Sequence, residues 1–423
     1  MLERWGIATL TLCTEPFLKQ AHTIAEMMDM PSLEIISVPR LAQEGVGPAQ
    51  LRLIAEGILE KVSETCQSQM RGVQFHAELP PQAAFKAPDD MQAMELFLAR
   101  GWTDGLPIVP PTTTQVRLML EGVGRDPQEV IGRIPPRQGL ATVEKIAVNV
   151  VMAGCLPGYL PIVIAAVQAM LDEKFGLRSI QSTTHSVAPL LIINGPAARE
   201  LSINSGSNLF GPGWRSNATI GRAIRLILMN IGGSVPGRSD NSTFGHPGKY
   251  TYCIAENEAA NPWEPFHVQR GLPAEVSAVT VFAAEAPQNI SDHVSGTARG
   301  LLSTVAGSML SQGSSKLGET LLVLGPEHAT IIARDGWSKS DIRHFLFENA
   351  RLPFGRIKAW GEYLGVSNLW PNWWNVADVQ EMVPIVRQPE DILIIVAGGA
   401  GTRSMWVPGV YAPLSRSITR RVN

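Results

Sequence analysis

Apolar residues along the N-terminal seventy positions alternate between short continuous runs and runs at helical spacing. WGIATLTLC (residues 5–13) predicts a buried strand, and Phe17, Ala21, Ile24 and Met28 in the following stretch recur as one face of a helix. LEIISVP predicts a second strand and AQLRLIAEGILEKVSETC a second helix, so the start reads as a small βα unit over residues 1–68. A polar, proline-containing stretch over 69–90 then reads as a linker.

From residue 91 to 423 the pattern is that of a larger mixed α/β domain. MQAMELFLAR and TTTQVRLML predict helices on either side of a proline-rich extended segment, the second capped by a threonine between Thr112 and Thr114. Ile146–Leu171 is the longest uncharged run, but CLPGYLP at its centre breaks it into helix, turn and helix rather than a membrane span. PLLIINGP and AVTVFAA predict strands. Between them NATIGRAIRLILMNIGG places Ile220, Ile224, Ile227 and Leu228 on one helical face before a glycine stop. The last third repeats a strand-then-loop theme in ETLLVLGPEHA and DILIIVAGGAG, with a helix capped near Ser338 or Ser340. Strands that end in such loops predict ligand binding at the carboxyl edge of an α/β sheet.

Composition narrows the function. With 423 residues, 45% hydrophobic and 17% charged, the chain is long enough for two or three folded domains. A net charge of −3 lacks the basic field that phosphate-backbone binding needs, so no nucleic acid partner is expected. Cys13, Cys66, Cys155 and Cys253 are widely spaced with no CxxC pair, which fits reduced thiols in a cytoplasm. The N-terminus lacks the pattern of a signal peptide.

The densest candidate chemistry lies in GHPGKYTYCIAENE (245–258) and the NPWEPFHV that follows. YTYCI alternates as a half-buried strand would, and HPGK has turn chemistry, so a hairpin accounts for the backbone. The polar density beyond it points to a site. Cys253 near a protonated His246 or Lys249 would gain thiolate character, with Glu256 assisting and His246 and His267 transferring protons. The same His246, Cys253, Glu256 and His267 could instead ligate a metal, although their spacing matches no zinc signature. Each cysteine or histidine also has a plain structural reading, as an inert core thiol or a hydrogen-bonded imidazole.

Other candidates surround this stretch. Asp104, in GWTDGLPIVPPT, could place a base or could close an Asx-type turn on its own backbone. GSNLFGPGWRSNATIGR suggests an anion cradle of Asn208, Gly211, Gly213, Arg215, Asn217 and Arg222 ahead of a helix N-terminus. It matches neither a P-loop nor a dinucleotide fingerprint, so no nucleotide cofactor is implied. His328 at a predicted strand end completes the set, as a substrate contact.

Two groups of residues carry a family resemblance. LERWGIATLTLCTEPFLKQAHTIAEMMDMPSLEIISVP resembles the later part of the small domain of the UGSC-type (seleno)protein family. GWTDGLPIVPPT, ATVEKIAVNVVMAGC, NATIGRAIRLILMNIGG, FGHPGKYTYCIAENE and PWEPFHV are similar to the larger protein that accompanies or is fused to that domain. The resemblance implies a redox role, because the family carries a selenocysteine or cysteine followed by Gly-Ser-Cys. Here the chain begins after the place of that motif, and GSSK at 313–316 has no thiol. A second subunit then supplies the motif, or Cys13 or Cys253 takes its role, or the redox implication does not carry over.

The resulting expectation is an oligomeric enzyme acting on a small anionic organic molecule by thiol-assisted redox or bond-cleavage chemistry. The alternatives are a metal-dependent hydratase, lyase or hydrolase, and a non-catalytic subunit binding a small thiol- or selenol-bearing partner.

Overall fold

The computed structural model describes residues 9–27, 30, 33–38, 48–69, 87, 89–312, 317–356, 378–411 and 414–423. Most of the expected linker and the GSSK segment lie outside them. The chain divides into two compact units, one reaching to Ala87 and one from Pro88 onward.

In the first unit, β1 (Thr11–Thr14) and β2 (Ile35–Val38) run parallel on either side of α1 (Leu18–Met27), and α2 (Pro48–Gln69) follows. Parallel pairing needs a crossover, which α1 supplies. The expectation of a fully buried first strand is not met. Residues of β1 alternate between half-buried and exposed, with Leu12 open to solvent, so β1 is covered on one face.

The second unit is an α/β fold of four layers. It opens with α3 (Asp90–Ala99) and α4 (Thr113–Glu121), the latter capped by Thr112, whose hydroxyl accepts from the Gln115 N–H. A hairpin of β3 (Val130–Ile134) and β4 (Gly139–Thr142) follows. The uncharged run folds as α5 (Val143–Ala153), a 3₁₀ turn at Pro157–Tyr159 and α6 (Leu160–Met170). Short α7 (Leu177–Ser182) leads into the first large sheet.

That sheet begins with β5 (Ala188–Asn194), from which the chain passes through α8 (Pro196–Glu200) and α9 (Arg215–Asn230) to β6 (Cys253–Ala255). After the one-turn α10 (Phe266–Gln269) come β7 (Ala278–Ala284) and β8 (Gln288–Ser291). Next come α11 (Ala298–Ser308), β9 (Thr320–Leu324), α12 (Pro326–Arg334) and α13 (Lys339–Asn349). A small pair, β10 (Arg351–Pro353) with β11 (Met382–Pro384), precedes β12 (Ile392–Val396), β13 (Arg403–Val407) and β14 (Ile418–Arg421).

The two large sheets have the same plan. One has the order β6-β5-β7-β14 and the other β12-β9-β13-β8; in each the first pair is parallel and the next two are antiparallel. The fourth strands are exchanged. β8 follows β7 in the chain yet pairs with β13, while β14 follows β13 yet pairs with β7. β5 and β9 both run into Gly-Pro and a helix, so the two halves correspond strand for strand.

Alternation along each strand then fills three layers. Leu190, Ile192, Ile254 and Phe282 face Leu321, Val323, Leu393 and Ile395 across an apolar seam between the sheets. Their neighbours Leu191, Ile193, Cys253 and Ala255 pack outward on α5, α6 and α9. Leu322, Leu324, Ile394 and Val396 do the same against α11, α12 and α13. Strands buried on both faces explain the uninterrupted apolar runs in the sequence. Among the described residues no helix is long and apolar enough to cross a membrane.

The 245–258 stretch is not a hairpin. Pro247–Lys249 forms a 3₁₀ turn, and β6 pairs in parallel with β5 as an edge strand. The predicted alternation is present, but both faces are covered. Tyr252 and Ile254 enter the seam, while Cys253 enters the helix-side core.

Candidate active site

The carboxyl ends of β5 and β6 carry the polar groups. Asn194, the last residue of β5, is fully buried, and its side-chain amide donates to Glu256 Oε2 (2.6 Å) and to Glu258 Oε1 (3.0 Å). One N–H₂ group therefore holds two carboxylates together. The next residue, Gly195, has φ +81°, and a Cβ there would meet the Val276 carbonyl at 2.4 Å. Only glycine fits, and its N–H donates to Glu258 Oε1 (2.7 Å).

Glu256 is 3% exposed. Its Oε2 also accepts from the Phe266 N–H (2.7 Å) and its Oε1 from Asn261 Nδ2 (2.9 Å), with Lys339 Nζ 3.7 Å away. Burial raises its pKa above the ordinary carboxyl value against the opposing pull of Lys339 and these N–H groups. Burial likewise pushes Lys339 down to about 8.

Behind Glu258 lies His267, fully buried on α10. Its Nδ1 has no hydrogen-bond partner and sits 3.7 Å from Glu258 Oε1, while Nε2 approaches the Ala274 carbonyl at 3.4 Å. Asn194 Oδ1 is a second buried, unpartnered atom at the same strand end. Buried polar groups are nearly always hydrogen-bonded, which sets these two atoms apart from the bonded groups around them.

These groups border a cleft of ≈ 620 Å³ lined by Glu256, Asn257, Glu258, Arg199, Ser205 and Trp214, among others. Its wall is stapled to both sheets. Ala255 N–H donates to the Asn204 carbonyl, Gly398 N–H to the Ser205 carbonyl and Asn257 N–H to the Val396 carbonyl (3.2, 2.8 and 2.7 Å).

The other expected site residues fall elsewhere. His246 and Lys249 lie before β6 and Glu256 and His267 after it, so a strand of three residues, ~10 Å long, separates them. Lys249 Nζ is held by both oxygens of Asp240 (2.8 and 2.7 Å), which also lies 3.7 Å from buried Arg225. His246 Nδ1 accepts from the Gly248 N–H, and its Nε2 lies near the Ala284 carbonyl without a regular hydrogen bond. Cys253 does not gain thiolate character. It is buried against the helix layer, and burial, reinforced by Cys155, raises its pKa well above the ordinary thiol value. Cys155 is pushed up to about 12 by the same cause. Cys13 is half-buried on β1 in the first unit.

The expected anion cradle is largely engaged with the protein itself. Arg222 forks onto Asp104 with two 2.8 Å bonds and donates to the Leu106 and Pro107 carbonyls, so both residues anchor the 103–107 turn on α9. Asp104 Oδ1 also accepts from the Leu106 N–H, the Asx-type turn of the plain reading. Arg215 caps α5 by donating to the Gly154 carbonyl (3.0 and 2.9 Å). Asn217, 6% exposed, clamps Asn204 to the Cys253 carbonyl. Gly213, with φ +124°, precedes α9. Asn208 and Gly211 line a separate ≈ 390 Å³ cleft where β9 and β12 end. His328 is buried in the first turn of α12 with both ring nitrogens engaged, by Ser404 Oγ (2.8 Å) and the Asp292 carbonyl (3.2 Å).

Among the described residues no three His, Cys, Asp or Glu side chains come together as a metal-binding group. No protein-family model matches the sequence, and no curated protein matches it.

Two outcomes follow from these placements. Asp104→Ala leaves the Arg222 guanidinium, 14% exposed, without its carboxylate and holding the turn only through the Leu106 and Pro107 carbonyls. A loss of about 3 kcal/mol is expected, read as a lower urea midpoint. His246 is held by burial at about 4, below its ordinary 6.5, so the unfolded chain takes up the proton first. Its contribution to stability is complete above pH 6.5 and is lost as pH falls from 6.5 to 4. His246→Gln should flatten the fall of the urea midpoint over that window without abolishing it, because burial lowers His328 as well.

Proposed function

We propose that the protein is an enzyme that moves a proton on a small polar organic molecule bound at the carboxyl ends of β5 and β6, in a bond-cleavage or isomerisation reaction. The carrying observation is the Glu258 carboxylate on the cleft wall, backed by a fully buried imidazole with an unpartnered Nδ1. Glu258 takes a proton from the substrate, and His267 steadies or relays that charge. The electron pair left behind moves toward an adjacent unsaturated or departing group. In an isomerisation Glu258 returns the proton to the neighbouring atom, and in a cleavage the departing group takes it, while Glu256, its oxygens held by Asn194, Phe266 and Asn261, positions the strand end. Two carboxyls in unlike environments suit unlike roles.

Thiol-assisted chemistry has less support, since burial keeps Cys253 and Cys155 as thiols. A metal-dependent reaction would need a donor set beyond those that converge here. Arg199 on the cleft wall leaves room for an anionic substrate group. The free cysteines suit a cytoplasmic enzyme.

Incubating the protein with a cell-extract fraction of small metabolites, and following each compound by mass spectrometry, tests the reading. Wild type and Cys253→Ala should consume the same compound, and Glu258→Gln should slow its loss by roughly 10²-fold or more. Full turnover by a folded Glu258→Gln protein, or loss of turnover in a folded Cys253→Ala protein, would overturn it.

A further inference from the structure

A second cleft, of ≈ 640 Å³, is walled in part by the 263–266 segment, next to Pro265 on the border of the first. Three cations converge on it: Lys339 and Arg343 from α13, and Arg270 just after α10. Lys339 is 4% exposed, an unusual burial for an ammonium group. Its one hydrogen bond goes to the Glu264 carbonyl (3.1 Å), leaving two N–H groups for Glu256 at 3.7 Å or for a ligand. The oxygens of Glu256 are already taken by Asn194, Phe266 and Asn261.

The guanidiniums bond only neutral oxygens. Arg343 donates to the Ile392 carbonyl and to Gln269 Oε1 (3.0 and 3.1 Å), and Arg270 donates to Ser417 and Thr419. Among the described residues neither has a carboxylate within ion-pair distance. Glu264 and Glu390 also line the cleft, but both are exposed and well solvated. These acids offset part of the positive charge, as Glu256 does for Lys339 at 3.7 Å, but the free N–H donors of Lys339 and the two guanidiniums are gathered in one concave site.

We propose that this cleft is an anion site taking the phosphate or carboxylate group of a small organic ligand, held by Lys339 and Arg343 with the Trp263 side chain as its wall. An anion there competes with Glu256 for Lys339, so occupancy is felt in the neighbouring cleft. The anion site itself stands independently of the proton-transfer reading.

Calorimetric titration of the full chain with inorganic phosphate, and separately with succinate, tests the assignment. At least one probe should bind at a single site, more weakly as salt is raised, and Arg343→Gln should weaken it on the order of tenfold or more. Binding of phosphate alone or succinate alone supports the site and names the group it prefers. The heat of binding is read without turnover, so the anion site stands or falls apart from the proposed reaction. Failure of both probes to bind the wild type, or equal binding by a folded Arg343→Gln protein, would overturn the assignment.

Discussion

Two sheets packed face to face must seal the apolar layer between them, and where their strands end the chain has to leave that layer without stranding its backbone amides. At the ends of β6 and β12 the solution is mutual: Asn257 N–H donates to the last residue of β12, and Gly398 N–H to the turn that covers β6. This seam fixes the segments from which the candidate site is made. Asn194 sits at the end of the buried β5, where its amide can reach Glu256 and Glu258 only because β6 lies parallel and in register beside it.

The correspondence between the halves sharpens this point. Pairing register aligns Ile193 with Ala255 in one sheet and Leu324 with Val396 in the other, so Glu256 and Ala397 occupy equivalent positions just past the strand. Their N–H groups donate to equivalent carbonyls, those of Ile193 and Leu324. Beyond them one half continues as Asn257–Glu258 and the other as Gly398–Gly399. The same scaffold therefore carries a carboxylate just past the strand in one half and a glycine pair in the other, so what differs is the side chains and not the fold.

The layers were legible because periodicity reports burial. Continuous apolar runs at 188–194, 278–284, 320–324 and 392–396 became strands covered on both faces, and CLPGYLP broke its helix pair as proline requires. Glu256 and His267, singled out from the sequence, fall beyond the carboxyl end of β6, beside Asn194. It misjudged Cys253, because period-two alternation gives the two faces of a strand without saying that helices cover the outer one. Arg215 and Arg222 read as ligand contacts and Asp104 as a residue placing a base, although their partners lie tens of residues away in the chain, as Gly154 does for Arg215 and Asp104 for Arg222. Asn194 gave a usable signal, a polar residue closing an apolar strand ahead of glycine. Lys339 gave none, for its burial beside Glu256 depends on how α13 meets β6.

The proposed chemistry depends on where a substrate binds. Difference electron density from crystals soaked with the compound that the protein consumes would locate it directly. The density should lie at the carboxyl ends of β5 and β6, within hydrogen-bond distance of Glu258. Density against the 245–250 turn or reaching Cys253, with Glu258 untouched, would contradict it.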